Sequence, residues 1–365
     1  MRIALTHVYC WPEVRRGAER YTHELAAGLR RAGHDVRIVS TASTPGRDEV
    51  LDVPVRRYRQ RTQLRRWYGS GGDSVAFGAQ TLAGVAPRRL DVWHAMSVGD
   101  AAAATLAGKL RPGLRTVYTE VGFPNKASID KRKERRLYEY VVRGVDEFIS
   151  LSPPAGRYLA EGYGRGGEVV GGGVDLHSFG PADARHPTPA LLVPAALSEP
   201  RKNVGLVLEA AAELTNRGQQ VEVWLAGPGD LPDDLSAQAR EGLSHVTMQR
   251  AASPDELPDL YSRAWVTVLP SQAEVFGLVV LESMACGTPA VVLDDGLGPS
   301  GIVTPGTGAM CAPTGVSVAD ACQQALELAA DPRTVEACRA RAADYDWDSI
   351  IVPRIVSLYA RSGLH

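Results

Sequence analysis

Short runs of β-branched and aliphatic residues alternate along this chain with longer amphipathic ones. In the first half the short runs fall at 2–6, 36–40, 92–95, 116–119, 147–151 and 169–170, with helical runs at 19–32, 74–86, 99–110 and 131–143 between them. In the second half the strand-like runs are 190–194, 221–226, 246–248, 265–269 and 290–293. Strands that alternate with helices are the mark of β-α-β units, whose crossovers lay helices on both faces of a parallel sheet. The spacing therefore predicts an α/β protein. A proline-rich polar stretch, Gly180-Pro-Ala-Asp-Ala-Arg-His-Pro-Thr-Pro189, interrupts the alternation and is the best linker. We read two doubly wound parallel-sheet domains, 1–182 and 183–345, and a terminal segment, 346–365. Such sheets bind ligands beyond the carboxyl ends of their strands, so a site in the cleft there is expected.

Composition narrows the class. A chain of 365 residues is too long for one ordinary core and suits two domains. Hydrophobic content of 44% with 22% charged residues is that of a soluble globular protein. No apolar run approaches the ~18 residues that span a bilayer, and a strand begins at residue 2 with no secretory signal in view. The cysteines (Cys10, Cys286, Cys311, Cys322 and Cys338) are odd in number and lack metal-ligand spacing, which reads as reduced thiols in a cytoplasmic protein. The net charge of -2 conceals an asymmetry: residues 1–182 carry 28 Lys+Arg against 19 Asp+Glu, and the remainder 12 against 23. The two halves therefore meet different partners. Only five of the 40 basic residues are lysines, which makes Lys202, alone in the acidic half, a conspicuous choice.

The chemistry concentrates in Ser271-Gln-Ala-Glu274-Val-Phe276-Gly277-Leu278-Val-Val-Leu-Glu282-Ser-Met-Ala-Cys286-Gly287-Thr-Pro289. A strand leads into this stretch; 278–286 reads as a helix, and Gly287-Thr-Pro289 stops it. Gly277 at the helix start lets phosphates approach backbone N–H groups at the positive end of the helix dipole. Glu282, four residues after Leu278, lies on the side of the helix above that first turn. From there a carboxylate can accept two hydrogen bonds from a ribose diol. Glu274, on the preceding loop, can reach hydroxyls of whatever the diphosphate carries. The arrangement suits a nucleotide-sugar. Spacing alone equally allows a plain strand-loop-helix unit whose glutamates face water.

The complete string, Pro270-Ser271…Glu274-x-Phe276-Gly277…Glu282-x-Met284-Ala285-x-Gly287-x-Pro289, resembles the donor-site signature of retaining GT-B glycosyltransferases of family 4, the glycosyl transferases group 1. The resemblance extends over almost the whole chain. Arg16-Gly17-Ala18-Glu19 is similar to the family's Gly-Gly-x-Glu loop, with Arg16 in place of the first glycine. Gly172-Gly173-Val174-Asp175 with Phe179 resembles the segment at the domain boundary, and Pro200-Arg201-Lys202-Asn203 the donor-domain lysine loop. Trp347-Asp348 and Leu358-Tyr359 resemble a terminal helix that packs back on the first domain.

This resemblance implies a GT-B fold of two Rossmann-like domains, acceptor-binding and then donor-binding. It implies that Lys202, with Arg201, neutralises a departing nucleotide diphosphate, that Glu274 orients the sugar and that Glu282 holds the ribose. Gly17, Phe276, Gly277 and Leu278 would meet the donor, and the backbone at Arg250-Ala251 its base. The acceptor hydroxyl would attack on the leaving group's own face, with no metal and no cofactor beyond the nucleotide-sugar. Three departures stand out: Ala195-Ala196 where the family has Gly-Arg, Val121 where it has a histidine, and Pro299-Ser300-Gly301 where it has an acidic residue after one intervening position. Arg201 is the expected substitute for the missing arginine.

Candidate acceptor contacts are Arg16, Trp11, His94, Glu120 and Asn125, although a lone strand histidine such as His94 is more often structural; His7 shares that ambiguity. Arg56-Arg57-Tyr58-Arg59-Gln60-Arg61, continued by Arg65-Arg66-Trp67-Tyr68, interleaves arginine with aromatics. That run suits an anionic acceptor, anionic lipid headgroups or stacking on a polycyclic acceptor, or else plain surface. No nucleic-acid module accompanies it. The reading is thus a cytoplasmic retaining glycosyltransferase acting on a small-molecule or lipid-linked acceptor, with peripheral contact between its basic amino-terminal half and an anionic membrane as one option. A non-catalytic GT-B scaffold and a GT-B phosphorylase or epimerase are the alternatives.

Overall fold

A computed structural model describes residues 1–14, 16–61, 72–85, 89–122, 132–182, 184–242, 246–248 and 256–361. The chain divides into two compact units: Met1–Gly173 with the segment from Trp347 onward, and Val174–Asp346.

In the first unit the elements are β1 (Arg2–Thr6), α1 (Gly17–Arg31), β2 (Asp35–Ala42), β3 (Gly46–Val50), β4 (Val53–Arg59), α2 (Gly72–Gly84), β5 (Val92–Ala95), α3 (Val98–Leu110), β6 (Arg115–Glu120), α4 (Arg132–Gly144), β7 (Glu147–Ser150), α5 (Pro153–Tyr163) and β8 (Glu168–Val169). The strands form one sheet in the order β3-β4-β2-β1-β5-β6-β7-β8, parallel except for β3 against β4. The order reverses between β1 and β5, where a crevice opens at the carboxyl ends of a doubly wound sheet. α1 shows why the pattern was readable: Tyr21, Leu25, Ala26 and Leu29 form its buried face. Gly33, at φ 85°, stops it, with His34 N–H bonded to Leu29 O and Gly33 N–H to Arg30 O. Only a residue free to adopt that left-handed turn closes the helix this way.

The β3–β4 hairpin was not anticipated. Its turn, Leu51-Asp52, holds two non-glycine residues at positive φ (51° and 58°), so it lacks the Asn-Gly signal by which such turns are recognised. β3, Gly-Arg-Asp-Glu-Val, is almost wholly exposed and has no apolar alternation to read. The arginine-aromatic run begins on β4, and 62–71 lie outside the described residues.

In the second unit the elements are β9 (Ala190–Pro194), a 3-10 turn (Pro200–Lys202), α6 (Val204–Asn216), β10 (Glu222–Ala226), α7 (Asp233–Gly242), β11 (Val246–Met248), α8 (Leu257–Arg263), β12 (Val266–Leu269), α9 (Leu278–Ala285), β13 (Ala290–Leu293), β14 (Gly308–Cys311), α10 (Gly315–Ala330) and α11 (Arg333–Ala343). All strands are parallel, in the order β11-β10-β9-β12-β13-β14. This is the Rossmann order, and its switch point lies between β9 and β12. Leu191, Val193, Val223, Leu225, Val268 and Val291, each nearly inaccessible, build the core beneath α6 and α10. The stretch read as a linker is tied down on this unit: Arg185 donates to the carbonyls of Trp265 (2.9 Å) and Gly287 (3.0 Å).

The segment from Trp347 onward adds a π turn (Trp347–Ile351) and α12 (Val352–Ala360) to the first unit. Trp347 is 1% exposed; its indole N–H donates to Glu24 (2.9 Å) and its ring lies 5.4 Å from that of Tyr21. Asp348 takes a forked pair of bonds from Arg31. Among the described residues no helix is long and apolar enough to cross a membrane.

Candidate functional site

The loops that leave β9 and β12 flank the switch point of the second unit, and they are laced together. The carbonyl of Arg201 accepts from Gln272 N–H (2.8 Å), and the Asn203 side chain donates to Pro270 O (2.8 Å). Asn203 sits at φ 51°, which lets it end the 3-10 turn and start α6 at once. Side chains then converge. Lys202 Nζ lies 2.7 Å from Glu274 Oε2, and Arg201 Nη1 lies 3.2 Å from the same oxygen. Arg201 also pairs with Glu199. Burial weakens the Arg201 charge, but Glu274 and Glu199 outweigh it and raise its pKa. Lys202 and Glu274 are mostly sheltered from solvent, so their attraction is screened less than that of a surface pair.

Beyond Glu274 the backbone turns sharply. Gly277 caps α9 at φ 93°, and a Cβ there would stand 3.0 Å from Pro299. The loop is pressed against Gly298, where a Cβ would meet Val275 O at 2.0 Å. Phe276 is buried with its ring 5.8 Å from Tyr345, and Leu278 begins the helix half-buried. Glu282, one turn further and 3% exposed, accepts from Tyr261 O–H at 2.8 Å. Tyr261 thus fixes the direction of the Glu282 carboxylate.

In the first unit, polar groups gather past the end of β1. Arg16 caps α1 without a side-chain bond to the helix's free backbone N–H groups, and donates instead to the Glu19 carboxylate at 2.8 Å; its guanidinium lies 5.0 Å from the centre of the Tyr9 ring. Glu19 is 1% exposed and its second carboxylate oxygen is buried with no hydrogen-bond partner among the described residues. His7 bonds to Tyr9 O (3.0 Å), and burial lowers its pKa although Glu19 opposes the shift. Gly17 opens α1 and is exposed; Trp11 is half-buried on the preceding turn. At the end of β6, Glu120 accepts from Tyr118 (2.6 Å), Tyr138 and Gly122 N–H, and burial raises its pKa. His94 is enclosed: one ring nitrogen meets Tyr359 O–H (2.6 Å), the other Thr119 O–H (2.7 Å), and burial takes its pKa down to about 3. Asn125, Arg250 and Ala251 lie outside the described residues.

The family profile for glycosyl transferases group 1 matches residues 183–344, and that for glycosyltransferase family 4 matches residues 15–178. The chain belongs to glycosyltransferase family 4. A glycogen synthase of Mycobacterium tuberculosis is 29% identical over 385 aligned residues, covering 96% of this chain and 92% of the relative. Among solved structures, sucrose-phosphate synthase from Thermosynechococcus elongatus superposes with a TM-score of 0.79 at 21% identity, over 98% of both chains. Anabaena HepE in complex with UDP and glucose gives 0.73 at 17% identity, over 99% of this chain and all of the other. The fold of this glycosyltransferase is GT-B, and its activity is transfer of a sugar from a nucleotide-sugar to an acceptor.

The departures from the family pattern can now be placed in the glycosyltransferase. Ala195 lies against Gly227, where a Cβ would come 1.9 Å from its carbonyl. Val121 follows β6, beside the Glu120 cluster. The Gly301 carbonyl accepts from Arg341 at 2.9 Å. Two residues escaped the sequence reading. Tyr261 gave no signal, because nothing local marks a partner 21 positions from Glu282. Glu19 did stand in the Gly-Gly-x-Glu match, but only the structure shows its buried, half-satisfied carboxylate. Among the described residues no group of three or more His, Cys, Asp or Glu side chains is gathered to hold a metal.

Proposed function

We propose that this glycosyltransferase retains configuration at the anomeric carbon, works without a metal, and stabilises its leaving group with Lys202 and Arg201. The observation that carries the reading is the convergence of both cations on one oxygen of Glu274, at the switch point of the second unit. Without donor, Glu274 holds the two cations in position. A nucleoside diphosphate brings more negative charge than one carboxylate and takes them over, which releases Glu274 toward the sugar hydroxyls. The first N–H groups of α9, behind Gly277, face the same anion. Glu282, held by Tyr261, accepts from the ribose diol. Support for a uridine nucleotide comes from HepE, whose complex contains UDP and glucose.

The acceptor oxygen attacks the anomeric carbon on the side that the diphosphate leaves. The carbon–oxygen bond to the diphosphate breaks, the new glycosidic bond forms, and the acceptor proton passes to a departing phosphate oxygen. Charge stabilisation and positioning are then the main catalytic contributions, and no protein nucleophile is required. On the acceptor side, His7, Arg16, Glu19 and Glu120 offer donors and acceptors to a hydroxylated small-molecule or lipid-linked acceptor.

The test is a thermal-shift panel of UDP-, GDP-, ADP- and dTDP-sugars on wild type and Glu282→Ala, with and without EDTA. One nucleotide family should stabilise the wild type, EDTA should leave that shift intact, and the substitution should abolish it. The anomeric configuration of the product, read by NMR, should match that of the donor. No shift with any donor would sink the site as drawn; an inverted product would remove the same-face attack alone.

A further inference from the structure

The outward faces of α3 and α4 mix exposed apolar side chains with cations. These helices follow β5 and β6, so successive right-handed crossovers set them side by side on one face of the first sheet. They meet closely: a Cβ on Gly144, at the end of α4, would stand 2.5 Å from Thr105 of α3. Leu106, Lys109 and Leu110 recur on α3 at the spacing of one helix face, as do Arg136, Tyr140 and Arg143 on α4. All six are exposed, Leu110 at 72%. Lys109 Nζ lies 4.7 Å from the centre of the Tyr140 ring and joins the two rows. Of the eight large apolar side chains exposed among the described residues, three are gathered here. Single exposed apolar residues are ordinary, but a cluster rimmed by charge marks a contact surface.

The cations of this face have no acid to answer them. Lys109, Arg136 and Arg143 form no ion pair among the described residues. Asp100, the one acid of α3, is fully buried, and Glu139 of α4 is taken by Arg135 at 3.0 Å. Glu134 is half-buried and, two positions from Arg136, does not face it. The ring contact orders the Lys109 ammonium without neutralising it. We propose that the α3–α4 face docks the enzyme on an anionic lipid surface. Leu106, Leu110 and Tyr140 enter the boundary between headgroups and acyl chains, while the ammonium and guanidinium groups meet lipid phosphates above them. Lys109 discriminates between a lipid layer and a protein partner. The core of a protein interface sheds charge, lysine included, yet Lys109 stands in the middle of this face, between the leucines and Tyr140. At a headgroup layer the same residue keeps its stem on apolar groups and its charge among the phosphates. The face includes none of the residues assigned above to donor or acceptor, so the inference is independent of the proposed transfer site. Docking of this kind brings the enzyme to the layer that would hold a lipid-linked acceptor.

The test is flotation of the full-length protein with phosphatidylcholine vesicles, with and without phosphatidylglycerol, at low and high salt. Wild type is compared with Arg136→Gln and Arg143→Gln combined, and with Leu110→Ser. All three positions are exposed; circular dichroism and thermal melting check that each variant folds, and Lys109→Gln replaces one that does not. We expect the wild type to float only with phosphatidylglycerol and to be released by high salt. Loss of two cations should weaken binding about 25-fold, about fivefold for each. Leu110→Ser should weaken it severalfold by removing an apolar anchor. Thermal shift by the donor should be the same in all three proteins, which separates failure here from failure of the donor site. No flotation, or equal flotation of wild type and a folded double variant, overturns the proposal. Absent flotation together with wild-type self-association that the variants lose, read by analytical ultracentrifugation, overturns it in favour of a second copy.

Discussion

Two cations sharing one carboxylate oxygen make Glu274 the pivot of the proposed donor site, and the sharing is asymmetric. Lys202 is the shorter contact and the more sheltered residue, whereas Arg201 divides itself between Glu274 and Glu199. We expect Lys202→Ala to lower kcat by about 10²–10³-fold, the loss seen when a preorganised partner of developing negative charge is removed. Lys202→Arg should recover only part of it, because a rigid fork cannot follow the phosphate as a flexible ammonium does. Steady-state kinetics with the donor found by thermal shift decides both; an unimpaired Lys202→Ala enzyme would remove Lys202 from the chemistry. Two buried groups contribute to the response to pH. Asp100, fully buried beside the Thr6 hydroxyl, has its carboxyl pushed by burial from 3.8 up to about 7. Between those values the folded protein holds a proton that the unfolded chain has released. This side chain therefore favours the fold at low pH, and that contribution is lost as pH rises toward 7. His94 acts in the opposite sense, its contribution falling away as pH drops from 6.5 toward about 3. Urea denaturation at pH 5 and pH 8 should show Asp100→Asn gaining stability relative to wild type as pH rises; parallel curves would contradict it.

At the scale of elements, the loop from β12 to α9 depends on how closely backbone meets backbone. Gly298 lies in ordinary helical φ/ψ, yet a methyl group there would stand 2.0 Å from Val275 O, and backbone cannot yield as a side chain does. Gly298→Ala should therefore displace the turn that carries Glu274, lower the melting temperature by several degrees, and weaken nucleoside diphosphate binding more than it weakens the fold. Equal diphosphate affinity in the two proteins would show that the turn absorbs the change. How much of this was legible in the sequence follows from the same elements. Strands buried on both faces, such as Ala190–Pro194 and Ala290–Leu293, are continuous apolar runs and were plain. Gly277 was readable because helix start, positive φ and close approach all demand glycine at one position. The Gly46–Val50 strand was not, since an exposed edge leaves no hydrophobic imprint. Nor was β14, Gly-Ala-Met-Cys, whose small residues fit several structures equally well. In the site, residue types and order were visible, but which oxygen takes two cations and which tyrosine holds Glu282 depend on contacts across 21 to 73 positions.

For the molecule as a whole, the decisive residue is the one where the chain re-enters the first unit. Trp347 packs on Tyr21 and Glu24, and a Cβ on Gly173 would come within 2.4 Å of its ring. Trp347→Ala should cost about 3–5 kcal/mol in the first unit, as expected of a large buried aromatic. Urea unfolding followed by hydrogen exchange should show the loss in β1 and α1 while β9 and β12 keep their protection; loss in both units alike would mean that they unfold together. The path of the chain has one further consequence. It leaves the first unit after Gly173 and returns at Trp347, and a β-bridge between Val174 and Asp346 sets the two crossings side by side. The second unit is thus whole before the first has received its final helix. On a ribosome adding about 5–20 residues per second, the first unit waits for some ten to thirty seconds with the seat of Trp347 uncovered. The part of the protein made first is the last to be finished.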